Sequence, residues 1–216
     1  MSTNWTPGGG SSMTLSRAEV TRVIGFEVES LEEKQLLFGG LAQWGSGVYG
    51  VQIGMGYDLG YVTREEFLED WNGKLSDVSL RIFSSWIGLR GRLAGVQRAR
   101  DADLDPITWE TAHGVFMEST IPRIARKCAA AYPGVGRLPP DAQTMMWSLV
   151  YSRGDTTQHS GDDRKKEMAE LIPAVKDRKL DVMADLFLSM RRLFTDDPGS
   201  VKRRETEAEV IRNSDR

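Results

Sequence analysis

The sequence predicts an α+β domain: one amphipathic helix, a small glycine-rich β-hairpin, then a mostly helical lobe. Three observations carry this. Ser16 and Glu19 have the spacing of a helix-opening capping box ahead of Val20, Val23 and Ile24. Eight glycines with few charges fall between Gly39 and Gly60, a texture of tight turns and close backbone approach. Beyond Thr63, apolar residues recur at helical spacing almost to the end.

Taken in order, residues 1–13 read as a flexible lead, since Thr, Asn, Pro, three consecutive glycines and the serines that follow them bury too little surface to order themselves. The first helix opens at Ser16 and runs to about Ser30. Val48, Val51, Ile53 and Met55 then mark the ribbon. Thr63 and Glu66 form a second capping box before Phe67 and Trp71. Ile82, Phe83, Trp86 and Ile87 keep helical spacing, as do Trp109, Ala112, Val115 and Phe116. Pro122 suits the first turn of a helix that Pro133-Gly134 stops. Pro139-Pro140-Asp141 opens another, closed by Gly154. Helices over Glu167–Val175, Leu180–Arg192 and Arg203–Ile211 follow. The expected organisation is a single domain over residues 14–216, with a small lobe of about 14–62 and a helical lobe of about 63–212.

Composition narrows the function classes. The chain has 216 residues, of which 40% are hydrophobic and 27% charged, as in soluble globular proteins. No apolar run approaches the ~20 residues that span a bilayer, so no membrane insertion is expected. A single cysteine, Cys128, excludes an internal disulfide framework, and the first residues lack the regions of a secretory signal. The expectation is synthesis in the cytoplasm. Residues 1–121 carry a net charge of −6 and residues 122–216 a net of +3, which suits a cleft between two lobes better than the concentrated basic face of a nucleic-acid binder.

Glu27 is the most informative residue. On a wheel of about 100° per residue with Val20 at zero, Val23, Ile24 and Leu31 lie within about 60° of it. Glu27 falls inside that apolar arc, at about 340°, whereas Glu29 falls opposite, at about 180°. A buried carboxyl is disfavoured in its charged form and its pKa rises. Beside a cleft, that is a general acid; paired with a basic residue, it is a structural ion pair. Both readings stand. The two histidines, His113 and His159, are far apart in sequence, and Cys128 has neither beside it, so no metal and no cofactor is expected. Trp44 lies among glycines, where a large ring has little to pack against locally and either plugs the underside of the ribbon or stands ready for a ligand.

Phe26-Glu27 followed by the ribbon Gly50 to Gly60 resembles the phage-type lysozymes, which set a catalytic glutamate after an apolar helix and before a glycine-rich ribbon. Residues 148–154 resemble their core helix ending in an Asn-x-Gly turn, and residues 203–209 their closing Arg-Arg-x-x-Glu helix. The likeness is closer to a bacterial and phage branch with Phe-Glu-Val-x-Ser, Trp-Pro-Gly-Gly, Gly-Tyr-Asp-Leu-Gly and Leu-Pro-Pro-Asp-Ala-Gln. Their counterparts here, in that order, are residues 26–30, 44–47, 56–60 and 138–143, with Trp44-Gly45-Ser46-Gly47 in place of Trp-Pro-Gly-Gly. Two departures matter. Gln52 occupies the place of the ribbon threonine, and no carboxylate lies between Glu33 and Asp58 where the family carries its aspartate.

The resemblance implies a lysozyme-like fold and cleavage of β-1,4 bonds in peptidoglycan. Glu27 would be the acid and Asp58 the second carboxylate, with Gln52, Tyr57 and Trp44 binding substrate. For Asp58 a turn role stands beside the catalytic one, and a single-acid route, as in lytic transglycosylases, stands as a third reading. The partners implied are glycan strands, with a cognate immunity protein or secretion machinery. The place of action is the periplasm or cell wall, reached by holin release or secretion-system delivery. The alternatives are a non-catalytic module that binds glycan or protein, and a chitosanase.

Overall fold

The computed structural model describes residues 4–8, 10, 12–27, 43–44, 50–91, 104, 106–157 and 163–215, with Glu27, Gln43 and Trp44 described in their backbone only. It is a mostly helical α+β structure. The elements are β1 (Asn4–Trp5), β2 (Leu15–Ser16), α1 (Arg17–Glu27), β3 (Gln43–Trp44), β4 (Val51–Ile53), β5 (Tyr57–Asp58), α2 (Arg64–Trp71), α3 (Asp77–Ser85), α4 (Trp109–Val115), α5 (Ile121–Ala131), α6 (Pro140–Arg153), α7 (Lys166–Lys176), α8 (Leu180–Ser189) and α9 (Pro198–Asn213). A π-helical turn, Phe116–Thr120, leads from α4 into α5. Two compact units divide the chain: residues 1–26 with 121–216, and residues 27–120.

The first unit is built around α6. Every residue from Ala142 to Val150 is buried, the mark of a helix enclosed on all sides. Three of those side chains are polar, and each is satisfied, as burial demands. Gln143 accepts from the Thr14 amide at 2.7 Å and donates to the Leu138 carbonyl at 2.7 Å. The Thr144 hydroxyl donates to the Pro140 carbonyl and accepts from the Ser16 amide at 2.9 Å. Ser148 donates to Glu207 at 2.5 Å. Packed on α6 are α5, α9 and β2, and α8 lies between α7 and α9.

The N-terminal segment is not a free lead. Asn4 and Trp5 pair antiparallel with Ser16 and Leu15, and Met13 and Leu15 are fully buried. Two backbone amides, those of Thr14 and Ser16, are spoken for by α6, which explains how so glycine-rich a stretch is held. Ser16 still caps α1, accepting weakly from the Glu19 amide at 3.5 Å. The reciprocal half of that box is replaced: Glu19 pairs with Arg22 at 2.8 Å.

At the far end, α9 begins five residues before its expected start. Asp197 caps it, accepting from the Ser200 amide at 3.0 Å, with Pro198 in its first turn, so the Asp-Pro-Gly stretch opens a helix instead of separating two. From α9, Glu207 is buried against Arg204 and Arg203. Arg204 Nη2 donates to Glu207 Oε1 at 3.0 Å, Arg203 Nε donates to the same oxygen at 3.3 Å, and Arg203 Nη2 donates to Ser148 at 2.9 Å. The Arg203 guanidinium also lies 5.3 Å from the ring centroid of Phe26 in α1.

The second unit carries a three-stranded antiparallel sheet of order β3-β4-β5, one strand more than the expected hairpin. Gln43 and Trp44 face Gln52 and Val51, and Gln52 and Ile53 face Asp58 and Tyr57. Val51, Ile53, Met55, Tyr57 and Leu59 are buried with Phe67, Trp71, Phe83 and Trp86. The Thr63–Glu66 capping box is present in both directions.

Two stability tests follow. Glu207→Ala leaves Arg203 and Arg204 buried without their carboxylate and should lower the unfolding free energy by about 3–5 kcal/mol in urea titrations. The second test concerns Glu167, which accepts from Arg192 at 2.7 and 3.1 Å and from Ser189 at 2.9 Å. Burial raises its pKa, but the Arg192, backbone and Ser189 hydrogen bonds outweigh that and hold it below the ordinary glutamate value. A pKa lowered by folding contributes stability above the unfolded value, about 4.3, and loses it as pH falls. Glu167→Gln should therefore flatten the acid limb of stability measured by urea unfolding from pH 6 down to pH 3.

Candidate functional site

Helix α1 buries Val20, Val23 and Ile24 and exposes Arg22, the two faces that the wheel predicts. Glu27 is its last residue. The Glu27 side chain and the whole of Glu29 lie outside the described residues, as does the Trp44 side chain, although the Trp44 backbone pairs with Val51.

The remaining residues meet on the sheet of the second unit. Gln52 and Asp58 are cross-strand neighbours, and the Gln52 side chain lies near enough to help lower the pKa of the Asp58 carboxylate. Tyr57 points the other way, as alternation along a strand requires. Its ring meets Phe67 and Trp71 edge-on, at centroid distances of 6.4 and 5.5 Å. Its hydroxyl donates to Asp70 Oδ2 at 2.7 Å. With 3% of its surface exposed, Tyr57 serves the packing of this unit and presents no face to a sugar.

Asp58 sits half-buried at the start of a short 3-10 helix, Leu59–Tyr61. Its Oδ1 accepts from the Gly60 amide at 2.8 Å and from the Gly50 amide at 3.1 Å, and Oδ2 lies 3.3 Å from the same Gly50 nitrogen. Only the first of these is the turn bond that the sequence suggests. The second crosses the ribbon. Desolvation raises the Asp58 pKa, and the Gly60 and Gly50 amides, Arg90 and Gln52 pull it down without cancelling the rise.

Arg90 was invisible to sequence reasoning, because it follows α3 and carries no motif. Its backbone bridges Gly50, its Nε donates to the Gly60 carbonyl at 2.6 Å, and its guanidinium lies 3.9 Å from the Tyr61 ring centroid. Gly50 and Gly60 cross at close range. A Cβ on Gly50 would strike Asp58 Oδ1 and come within 2.6 Å of Gly60 Cα. Asp70 was equally hidden, since an aspartate on a charged helix reads as a solvated residue.

Among the described residues no cluster of His, Cys, Asp and Glu suits a metal. Cys128 is enclosed in the first unit, and burial pushes its thiol pKa up. His113 lies against Trp109, with ring centroids 5.6 Å apart. Among the described residues no helix is long and apolar enough to cross a membrane. No protein-family profile matches this sequence, and no characterised protein matches it significantly.

The crossing makes a prediction with an internal control. Gly50→Ala should destabilise the chain by about 1–3 kcal/mol through overpacking. Gly114→Ala, inside α4 with nothing within 4 Å of the new methyl, should stabilise it by about 0.5–1 kcal/mol. Chemical denaturation of the two variants checks both signs.

Proposed function

We propose that this chain is a glycosidase of lysozyme-like fold that cleaves the β-1,4 bonds of bacterial peptidoglycan, with Glu27 as the general acid. The observation that carries the reading is the place of Glu27. It ends a helix whose Val20, Val23 and Ile24 are buried, and it is followed by a small glycine-rich sheet. The order of the motifs at residues 26–30, 44–47, 56–60 and 138–143 supports the same reading. Glu27 donates its proton to the bridging oxygen as the C1–oxygen bond breaks and positive charge develops on the sugar. Gln52 and Trp44 contact the glycan. The enzyme acts at the cell wall, reached by holin release or through a secretion machine, and an immunity protein is the partner expected in a producing cell.

The second reading is a lysozyme-like module that binds glycan or protein without cleaving it. It is favoured by Gln52 in the threonine's place and by the engagement of Asp58 with backbone amides. Turbidity loss of permeabilised cell walls separates the two: lysis supports the enzyme, whereas retention on sacculi without lysis supports the module. Glu27→Gln should lower lysis by ~10²–10⁴-fold, the share a general acid supplies. Its melting temperature should hold or rise, because an ionisable group kept buried for function strains the fold. A large fall in melting temperature would instead identify a structural ion pair.

A further inference from the structure

We infer that Arg90 is a specificity-determining residue, a pre-set guanidinium fork at the end of the ribbon that takes a carboxylate of the wall polymer. This rests on the reading above that the chain binds peptidoglycan, and it names the group by which that polymer is told from chitin or chitosan.

This arginine is held fast although the residue is exposed. Its backbone bridges Gly50. Its stem lies against Gly60, where an added Cβ would come within 3.0 Å of Arg90 Cγ. Its Nε donates to the Gly60 carbonyl at 2.6 Å, and its guanidinium lies 3.9 Å from the Tyr61 ring centroid. An arginine left to solvent keeps many rotamers, and ordering it on binding weakens the complex. Here the fold does the ordering before any ligand arrives.

What this oriented guanidinium lacks is an acid. The firmly held arginines of the first unit show the contrast: Arg192 pairs with Glu167 and Asp163, and Arg203 and Arg204 pair with Glu207. Among the described residues no carboxylate forms an ion pair with Arg90. Asp58 senses its charge, but the Asp58 oxygens are taken by the Gly60 and Gly50 amides. With Nε committed to Gly60, the two terminal nitrogens form a planar, end-on fork that matches the two oxygens of a carboxylate. Gln52, proposed above to contact the glycan, lies two residues along the chain from Gly50, so a strand that reaches Gln52 passes the fork. Peptidoglycan carries carboxylates on its peptide stems, and on the lactyl ether of muramic acid where the stem has been removed. Chitin carries none, and chitosan is cationic.

The test measures the affinity of the full chain for immobilised polymers: intact sacculi, glycan strands stripped of their peptides, sacculi whose carboxylates have been converted to amides with carbodiimide and ammonia, and chitin. Wild type is expected to bind intact sacculi or stripped strands at least ~10-fold more tightly than amidated sacculi or chitin, the margin a hydrogen bond between charged groups supplies. Which of the first two it prefers tells stem carboxylates from lactyl ones. Arg90→Gln is expected to bind the carboxylate-bearing polymers no better than the amidated one. Arg90→Lys, a point charge without the fork, is expected to regain less than half of the margin. Arg81→Gln, which removes an exposed charge from α3, is expected to keep it whole. Equal wild-type binding to all the polymers would overturn the inference and leave the glycan reading standing. A margin that survives Arg90→Gln, full recovery in Arg90→Lys, or the same loss in Arg81→Gln would also overturn it. A fall on every polymer together with a lowered melting temperature in Arg90→Gln would make the arginine a structural tie of the Gly50–Gly60 crossing instead. Wild-type binding to none of the polymers would overturn the glycan reading, and the inference with it.

Discussion

The first unit depends on Glu207. That unit is discontinuous in sequence, assembled from residues 1–26 and 121–216, so something must bind the chain's beginning to its end. Glu207 anchors the cluster that does so. Its carboxylate gathers Arg203, Arg204 and Ser148, which ties α9 to α6. Arg203 then lies over Phe26, which ties both to α1. Two guanidinium groups around one buried carboxylate form an arrangement with a steep desolvation cost, and it persists only because its hydrogen bonds are directional. Phe26 immediately precedes Glu27, so the cluster fixes the end of the helix on which the proposed acid stands.

In the second unit a carboxylate again organises backbone that could not organise itself. Glycine-rich strands are weakly specified in register, because they lack side chains to pack. Here β4 and β5 acquire their register from the buried row Val51, Ile53, Met55 and Tyr57 on one face. On the other face, Asp58 holds the Gly50–Gly60 crossing. The cost of the crossing is that neither glycine tolerates a Cβ. That constraint explains why the glycines stand where they do better than conformational freedom does.

The helices were legible because their signals are local. Thr63 with Glu66, Pro140 with Gly154, and the apolar spacing of α7 and α8 each depend on residues within a few turns of one another. Gly154, at a φ of 77°, is the helix stop that its residue type suggests. What escaped was long-range. The Gln143 and Thr144 side chains hold residues 14 and 16, which lie 129 and 128 positions away, so a segment poor in apolar residues is pinned by an element it cannot foretell. Tyr57 read as a substrate contact within a turn motif, but the strand's alternation sends its ring to Phe67 and Trp71. Arg90 and Asp70 gave no signal at all, since a lone charge at a helix end or on a helix face has the same appearance whether it is solvated or buried against a partner.

Asp58 shows how both halves of such a reading can be right about the residue and incomplete about the geometry. As a turn residue it bonds the Gly60 amide, two positions on. As a carboxylate in the ribbon it lies partly desolvated beside Gln52, where a catalytic group would be sought. The bond to Gly50, eight residues back, changes the balance, because it makes the carboxylate part of the backbone's own hydrogen-bonding scheme. Rotating it toward a reacting water would strand two buried amides, each at about 1–3 kcal/mol, and would loosen the strands that carry Gln52 and the Trp44 backbone. A base that dismantles its own platform on each turnover is a poor catalyst. A fixed carboxylate that keeps these strands in place is a structural role, and the bonds to the Gly60 and Gly50 amides are enough to explain it.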